Sequence, residues 1–285
     1  MNELELINKT VGVIVTYNPD IELLKKNIDA VITQVRHLYI TDNNSNNTDS
    51  LTRLVHDYKN VTLITNEKNM GLPYCYNLIM KKAKDNNFEW LLILDQDSVC
   101  PDNMMKEYAK AVKKNVAIIS PSILDINLNV ETSERKTNSE FEIVEGCISS
   151  ASLNNVMIAF EIGLFDERMF IDYVDYDFCK RVILNHYQIV KANNVILKHQ
   201  VGESSFVRIF GRKVQIYNHS PIRSFYFFRN KYYYARKYNL HFYNEPIFYL
   251  NIYKRLILLF FEQESLTKLK LAFKGIREGK KMFIE

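Results

Sequence analysis

Residues 90–100 read WLLILDQDSVC. Five apolar residues, Trp90 to Leu94, are followed by two aspartates with one glutamine between them. A short run with no charge is the pattern of a strand buried on both faces. Its end delivers Asp95 and Asp97 to one place. On an extended strand residues two apart share a face, and a turn splays them. Oxygen donors on a tight turn suit Mg²⁺ or Mn²⁺, which take one or two carboxylates and complete their shell from substrate phosphates. The plainer alternative is that both are solvated turn residues.

Four further runs have the same character: VGVIV (11–15), HLYIT (37–41), VTLIT (61–65) and VAII (116–119). Helical periods lie between them. Ile21, Leu24, Ile28, Val31 and Val35 form one stripe, Leu51, Leu54, Val55 and Tyr58 a second, and Leu72, Cys75 and Ile79 a third. Strand and helix in alternation predict an α/β fold, with a Rossmann-like, mostly parallel central sheet flanked by helices. On such sheets ligands bind beyond the carboxyl ends of the strands. The runs are followed by TYNPD, DNNSNN, NEKNMG and DQDS. Asn, Asp and Gly populate ordinary turns, but four such loops on one edge mark a site. No GxGxxG follows the first run and no GxxxxGK[ST] occurs anywhere, which argues against a nicotinamide site or a P-loop.

The remaining chain gives weaker signals. Residues 124–142 are polar and aperiodic and read as a surface loop or irregular hairpin. IVEGCISSA (143–151) reads as a strand. Leu153, Val156, Met157 and Phe160 suggest a short helix capped by Ser152 and stopped near Gly163. A helical stripe runs through Phe178 and Val182, and VILKH (195–199) reads as a strand ending at His199. Four cysteines without CxxC spacing are expected as free thiols in a reducing compartment.

MNELELINKT has no basic n-region, which argues against a signal peptide. The longest apolar stretch, 246–261, is interrupted by Lys254 and Arg255 and is shorter than the ~20 residues a spanning helix needs. A cytoplasmic protein is expected. The net charge of +4 hides a net +11 over residues 207–285. That asymmetry points to an anionic partner.

Taken together, VIVTYNP (13–19), TDNNSNN (41–47), NEKNMGLPYCYN (66–77), LLILDQDS (91–98), GLFDERMFIDYVDYDFCKR (163–181) and LKHQVG (197–202) resemble, in order and spacing, the family 2 glycosyltransferases of GT-A fold. LDQDS with DYVDYDFCKR and FYFFRN (225–230) looks most like their bacterial rhamnosyltransferase branch. The resemblance covers roughly residues 10–235. It implies an inverting enzyme that moves a sugar, L-rhamnose from dTDP-L-rhamnose, onto a lipid-linked or growing cell-surface polysaccharide. UDP-galactose, UDP-glucose or another UDP-sugar is the alternative donor.

The resemblance also implies roles. Thr16, Tyr17 and Asp42 would hold the nucleoside. Asn69, Gly71 and Asn77 would lie against the donor. Asp95 would contact ribose or sugar, and Asp97 would bind a divalent Mg²⁺ or Mn²⁺. The base would be Asp175, although Val174 stands where the family has Glu; Asp172 and Asp177 are rivals. His199 matches a histidine that some relatives use as a metal ligand, and an ordinary hydrogen-bonded histidine is the other reading. Arg229 and Asn230 match an Arg-Asn pair, for donor phosphate contact or for packing.

The division expected is a catalytic part, 1–205, and a helical, basic and aromatic part, 206–285. SPIRSFYFFRNKYYYARKY (220–238) and KLKLAFKGIREGKKMF (268–283) suit interfacial helices on anionic lipid, at the inner face of the plasma membrane. A helical subdomain with a covered aromatic core explains them equally. A non-catalytic membrane-binding or nucleic-acid-binding protein is the alternative class. The acidic N-terminal part and the lack of an RNP-like motif speak against nucleic acid.

Overall fold

The computed structural model describes residues 1–125, 130–131, 139–199, 204–209 and 212–283. Among them the elements are α1 (Glu3–Asn8), β1 (Thr10–Thr16), α2 (Ile21–Val31), β2 (His37–Asp42), α3 (Thr48–His56), β3 (Val61–Thr65), α4 (Leu72–Asp85), β4 (Trp90–Asp95), α5 (Met104–Ala111), β5 (Val116–Asp125), β6 (Val130–Glu131), β7 (Phe141–Val144), β8 (Ser152–Asn155), α6 (Val156–Glu161), a 3-10 turn (Glu167–Met169), α7 (Val174–Leu184), β9 (Gln188–His199), β10 (Ser204–Ile209), β11 (Arg212–Tyr217), α8 (Pro221–Lys237), α9 (Pro246–Leu259) and α10 (Ser265–Gly279). They form two compact units, Met1–Arg168 with Val174–Gln200, and Met169–Tyr173 with Val201–Glu285.

The first unit is built on one mixed sheet in the order β3-β2-β1-β4-β8-β5-β9-β7, with β6 on β5. One half is parallel: β3, β2, β1 and β4. Its register aligns the strand ends, for Thr16 lies opposite Asp42, Asp42 opposite Thr65, and Val15 opposite Asp95. β1 is buried at every position. The helix stripes do what their spacing requires. Leu24, Ile28 and Val31 of α2 and Leu51, Leu54 and Val55 of α3 join Ile14, Leu38, Trp90 and Leu92 in one core. Each fully buried aliphatic side chain of this kind contributes about 1.5–3 kcal/mol. Asp20 caps α2 by accepting from the N–H groups of Glu22 and Leu23.

Two local expectations are corrected. Leu153 belongs not to a helix but to β8, antiparallel between β4 and β5. The helix begins at Val156 and its cap is Asn155, which accepts from Ile158 N at 3.0 Å. Leu153 is fully buried in the sheet, while Asn154 bonds back to Ser152, so polar residues fill a buried strand. Residues 143–151 are not one strand: β7 ends at Val144, and the chain turns through Ala151 at φ +55°.

The second unit holds the β10–β11 hairpin and helices α8, α9 and α10. α8 and α10 approach closely because Gly275 and Gly279 face the backbone carbonyls of Phe225 and Arg229, where a Cβ would collide. Phe228, Ile252, Leu259, Leu269 and Ala272 form a small core. Phe225, Phe228 and Tyr233 of α8 are buried, so much of the aromatic run is internal. No helix among the described residues is long and apolar enough to cross a membrane.

Candidate active site

The polar loops at the parallel edge are bound to one another. Asp42, at the end of β2, is fully buried. One of its carboxylate oxygens accepts from Thr16 Oγ1 at 3.0 Å and from the Ser45 hydroxyl. The other accepts from Ser45 N at 3.0 Å and Thr48 Oγ1 at 3.1 Å. Ser45 in turn accepts from Asn18 N at 2.8 Å, and Asn18 accepts from Asn46 N at 2.8 Å. Asn18 takes a left-handed φ of +48°, which asparagine tolerates better than most residues. The carboxylate thus fastens the first loop to the second.

Asn43 continues the chain of contacts to the third loop. Its side-chain oxygen accepts from Asn66 Nδ2 at 3.0 Å, Met70 N at 3.2 Å and Cys75 Sγ at 3.3 Å. Asn69 accepts from Gly71 N at 3.0 Å, closing the turn that starts α4. Gly71 has φ +82° and ψ 170°, a combination open in practice to glycine alone. Asn77 lies further along α4 and is 3% exposed. It donates to Phe165 O at 2.9 Å and Glu167 Oε1 at 2.8 Å, and accepts from Phe165 N at 2.9 Å. It therefore braces the segment preceding the 3-10 turn.

The fourth loop is tied to the first by the residue between the two aspartates. Gln96 Oε1 accepts from Tyr17 N at 2.9 Å, and Gln96 Nε2 faces Tyr17 O at 3.5 Å. The Tyr17 side chain stands at the surface, with the residue 52% exposed. Asp95 is half-buried and its backbone carbonyl accepts from Asn27 Nδ2 at 2.6 Å. Asp97 is exposed, one residue past Gln96. Thr16, Tyr17, Asp42, Asn69, Gly71, Asp95 and Asp97 therefore come together at the edge.

The three aspartates around α7 separate by their partners. Asp177 is fully buried and pairs with Arg181 at 2.9 Å. Asp172 is held by Arg223, whose Nε and Nη2 both lie 3.1 Å from its Oδ1. Burial pushes the Asp172 carboxyl above the usual carboxylate range, and the Arg223 charge opposes that. Asp175, half-buried in the first turn of α7, accepts from Tyr176 N at 2.9 Å. The buried Tyr76 phenol is pushed well up, first by desolvation and then by the negative charge of Asp95, with Asp175 adding to it.

Arg229 and Asn230 grip the backbone in the second unit. Asn230 Nδ2 lies 2.6–2.9 Å from the carbonyl oxygens of Met169, Ile171 and Asp172, and Arg229 Nη2 donates to Met169 O at 3.0 Å. They hold a segment in which Phe170, Asp172 and Tyr173 all have φ near +65°. Such strain persists only where surrounding contacts enforce it.

Sequence reasoning passed over Gln96, Asn43 and Ser45. The one available signal was their place inside DQDS and DNNSNN; their partners lie up to 79 residues away. His199 ends β9 opposite Asp125, and its side chain lies outside the described residues. Among the described residues no three His, Cys, Asp or Glu side chains converge on a metal position. The donor set at the edge, Asp95 with Asp97, is two hard oxygen ligands. That fits a Mg²⁺ or Mn²⁺ that draws its other ligands from phosphates and water.

A parallel sheet half whose strand ends gather polar loops, extended by antiparallel strands, is the arrangement of the GT-A fold. Residues 13–179 match Glycosyl transferase family 2, and the chain belongs to that family and is a glycosyltransferase. It is similar to the dTDP-rhamnosyl transferase RfbF of Shigella flexneri, 27% identical over 244 residues, 79% of each chain. The crystal structure of GalNAc-T7 with UDP, GalNAc and Mn²⁺ aligns at a TM-score of 0.60 and 15% identity. That alignment covers 81% of this chain and 48% of the other, so this chain spans about half that structure's length, and the likeness is one of fold.

Proposed function

We propose that this glycosyltransferase moves L-rhamnose from dTDP-L-rhamnose, with inversion, to a hydroxyl of a lipid-linked or growing cell-surface polysaccharide. The observation that carries the donor is the likeness to a dTDP-rhamnosyl transferase over most of both chains.

The exposed Tyr17 ring offers an apolar face to the nucleoside base, beside Thr16. Asp42 serves as a positioning residue for that pocket, through Ser45 and Thr48. The Asn69–Gly71 turn lets backbone approach the donor, and Asn77 keeps the opposite wall in place. Asp95 meets ribose or sugar. Asp97 and Asp95 would hold Mg²⁺ or Mn²⁺, with His199 as a further ligand proposed from the sequence. A cation held there would supply positive charge to the departing diphosphate. Asp175 accepts the proton of the acceptor hydroxyl as its oxygen attacks the anomeric carbon. The bond to the diphosphate breaks on the opposite face and the leaving oxygen takes the electron pair. Asp175 is taken as the base because it stands at the start of α7, where the family pattern aligns its base; Asp172 and Asp177, paired with Arg223 and Arg181, are the rivals. The net positive charge of residues 207–285 supports attachment to an anionic membrane surface on the cytoplasmic side.

A screen of dTDP-L-rhamnose against UDP-glucose and UDP-galactose, with Mn²⁺ or Mg²⁺, tests the proposal by released nucleoside diphosphate. Preference for dTDP-L-rhamnose supports it. Turnover of a UDP-sugar in its place overturns the donor.

A further inference from the structure

The second unit contains a cavity of about 320 Å³ that the donor chemistry does not use. Lys231, Gln215, Lys254 and Arg255 line it, with Asn251 and Leu258. Lys231 is 6% exposed and has no hydrogen-bond or ion-pair partner among the described residues. Its ammonium lies 4.7 Å from the centre of the Phe248 ring and 5.6 Å from that of Phe227. Those rings soften the loss of water without supplying a counter-charge. Gln215 Nε2 is likewise buried with no acceptor. Arg255 pairs with Glu262, but the same carboxylate also serves Lys268 at 3.0 Å. One acid therefore answers two cations, and Lys231 and Lys254 add more positive charge.

A charge with so little access to water and no counter-charge is costly, and a ligand that pairs it offsets that cost. Two unpartnered donors and an excess of positive charge call for a ligand that only accepts, and a phosphate does so from several oxygens. Beside the cavity, α9 carries Ile247, Leu250, Tyr253 and Ile257 exposed by 52–71%, with Phe260 just beyond it. Their spacing of three and four residues makes one apolar stripe. Asn251, Lys254, Arg255 and Leu258, which border the cavity, lie on the adjoining side of that helix.

We propose that this cavity is a phosphate site for a lipid headgroup, with the α9 stripe resting in the apolar boundary of the bilayer. The net charge of +11 over residues 207–285 complements an anionic leaflet. The inference deepens the membrane reading given above, on which it rests, and is independent of donor and metal. Burial pushes the Lys231 ammonium down to about 8, and a bound phosphate raises it again.

The test is sedimentation of the full chain with phosphatidylcholine vesicles, with and without phosphatidic acid. Lys231→Met and Gln215→Leu should each weaken binding to the phosphatidic acid vesicles at least about tenfold. Lys270→Met, on the exposed part of α10, removes the same charge away from the cavity and should cost no more than about fivefold. Leu250→Ser with Ile257→Ser should also release the protein. Lys231→Met should keep or raise the melting temperature, so loss of binding is not loss of fold. Equal losses in Lys231→Met and Lys270→Met would leave the anionic-surface proposal standing and overturn the site. No binding to either vesicle overturns both. Perturbation of the Lys231 resonance by inorganic phosphate, without vesicle binding, overturns the lipid as its source.

Discussion

Asp42→Ala separates two jobs that one carboxylate could do. If Asp42 only touched the nucleoside, its loss would cost donor affinity and leave the fold alone. The structure assigns it three internal donors, two from Ser45 and one from Thr16, and a share of the single Thr48 hydroxyl proton. The hydroxyls can turn elsewhere, and Thr48 already donates to Ser45 O at 2.6 Å. The Ser45 amide cannot. A buried N–H without a partner costs about 1–3 kcal/mol. Adding a weaker loss from the Thr16 and Ser45 hydroxyls gives about 3 kcal/mol in all. At about 2–4 °C per kcal/mol for a unit of this size, the midpoint of the first unit's thermal transition should fall by about 6–12 °C. Amide exchange at Ser45 should lose its protection, and KM for the donor should rise because the Tyr17 and Ser45 loops come apart. Thr16→Val should be non-additive with Asp42→Ala. A variant that loses donor affinity but keeps its midpoint and its Ser45 protection would show the carboxylate acting on ligand directly.

Asp175→Asn should lower kcat by about 10²–10⁴-fold with donor binding unchanged, whereas Asp177→Asn, which strands the Arg181 guanidinium, should lower stability by about 3 kcal/mol by denaturant titration. Chelation should stop release of nucleoside diphosphate, and Mn²⁺ should restore it in the native enzyme but not in Asp97→Ala; turnover that survives both treatments refutes the metal. The His219 imidazole is pushed down to about 3, first by burial and then by Arg223, Arg255 and Lys268. Between pH 6.5 and 3 the unfolded chain therefore binds a proton that the folded one refuses. Stability from this group is complete above pH 6.5 and falls on acidification, by about 2 kcal/mol at pH 5. His219→Gln should flatten that slope in urea titrations across the range.

What the sequence disclosed follows from what burial demands. β1, β2 and β4 were legible because a well-covered strand excludes charge; the uncharged run of β3 was legible although that edge strand is partly exposed; only the start of β5, 116–119, was read; and the stripes of α2 and α3 were legible because one covered helix face repeats every turn. β8 was not, because Ser152 and Asn154 satisfy each other inside the sheet and leave no hydrophobic pattern. At the site, residue type was legible and assignment was not. Any Asn in NEKNMG or DNNSNN could line a donor pocket, but only contacts across 20 to 90 residues separate Asn43, a tie between loops, from Asn77, a brace on Phe165. Spacing aligned Asp175 with the base and left Asp172 and Asp177 as rivals, but it could not disclose that Asp172 pairs with Arg223 and Asp177 with Arg181. The basic aromatic end shows the same limit. Amphipathic spacing says that a helix has an apolar side, not what covers it. α8 and α10 cover each other through Gly275 and Gly279, a contact made by the absence of side chains and so invisible to any hydrophobic count. That leaves α9, which the sequence had not singled out as interfacial, as the helix whose apolar stripe faces outward beside an unpaired lysine.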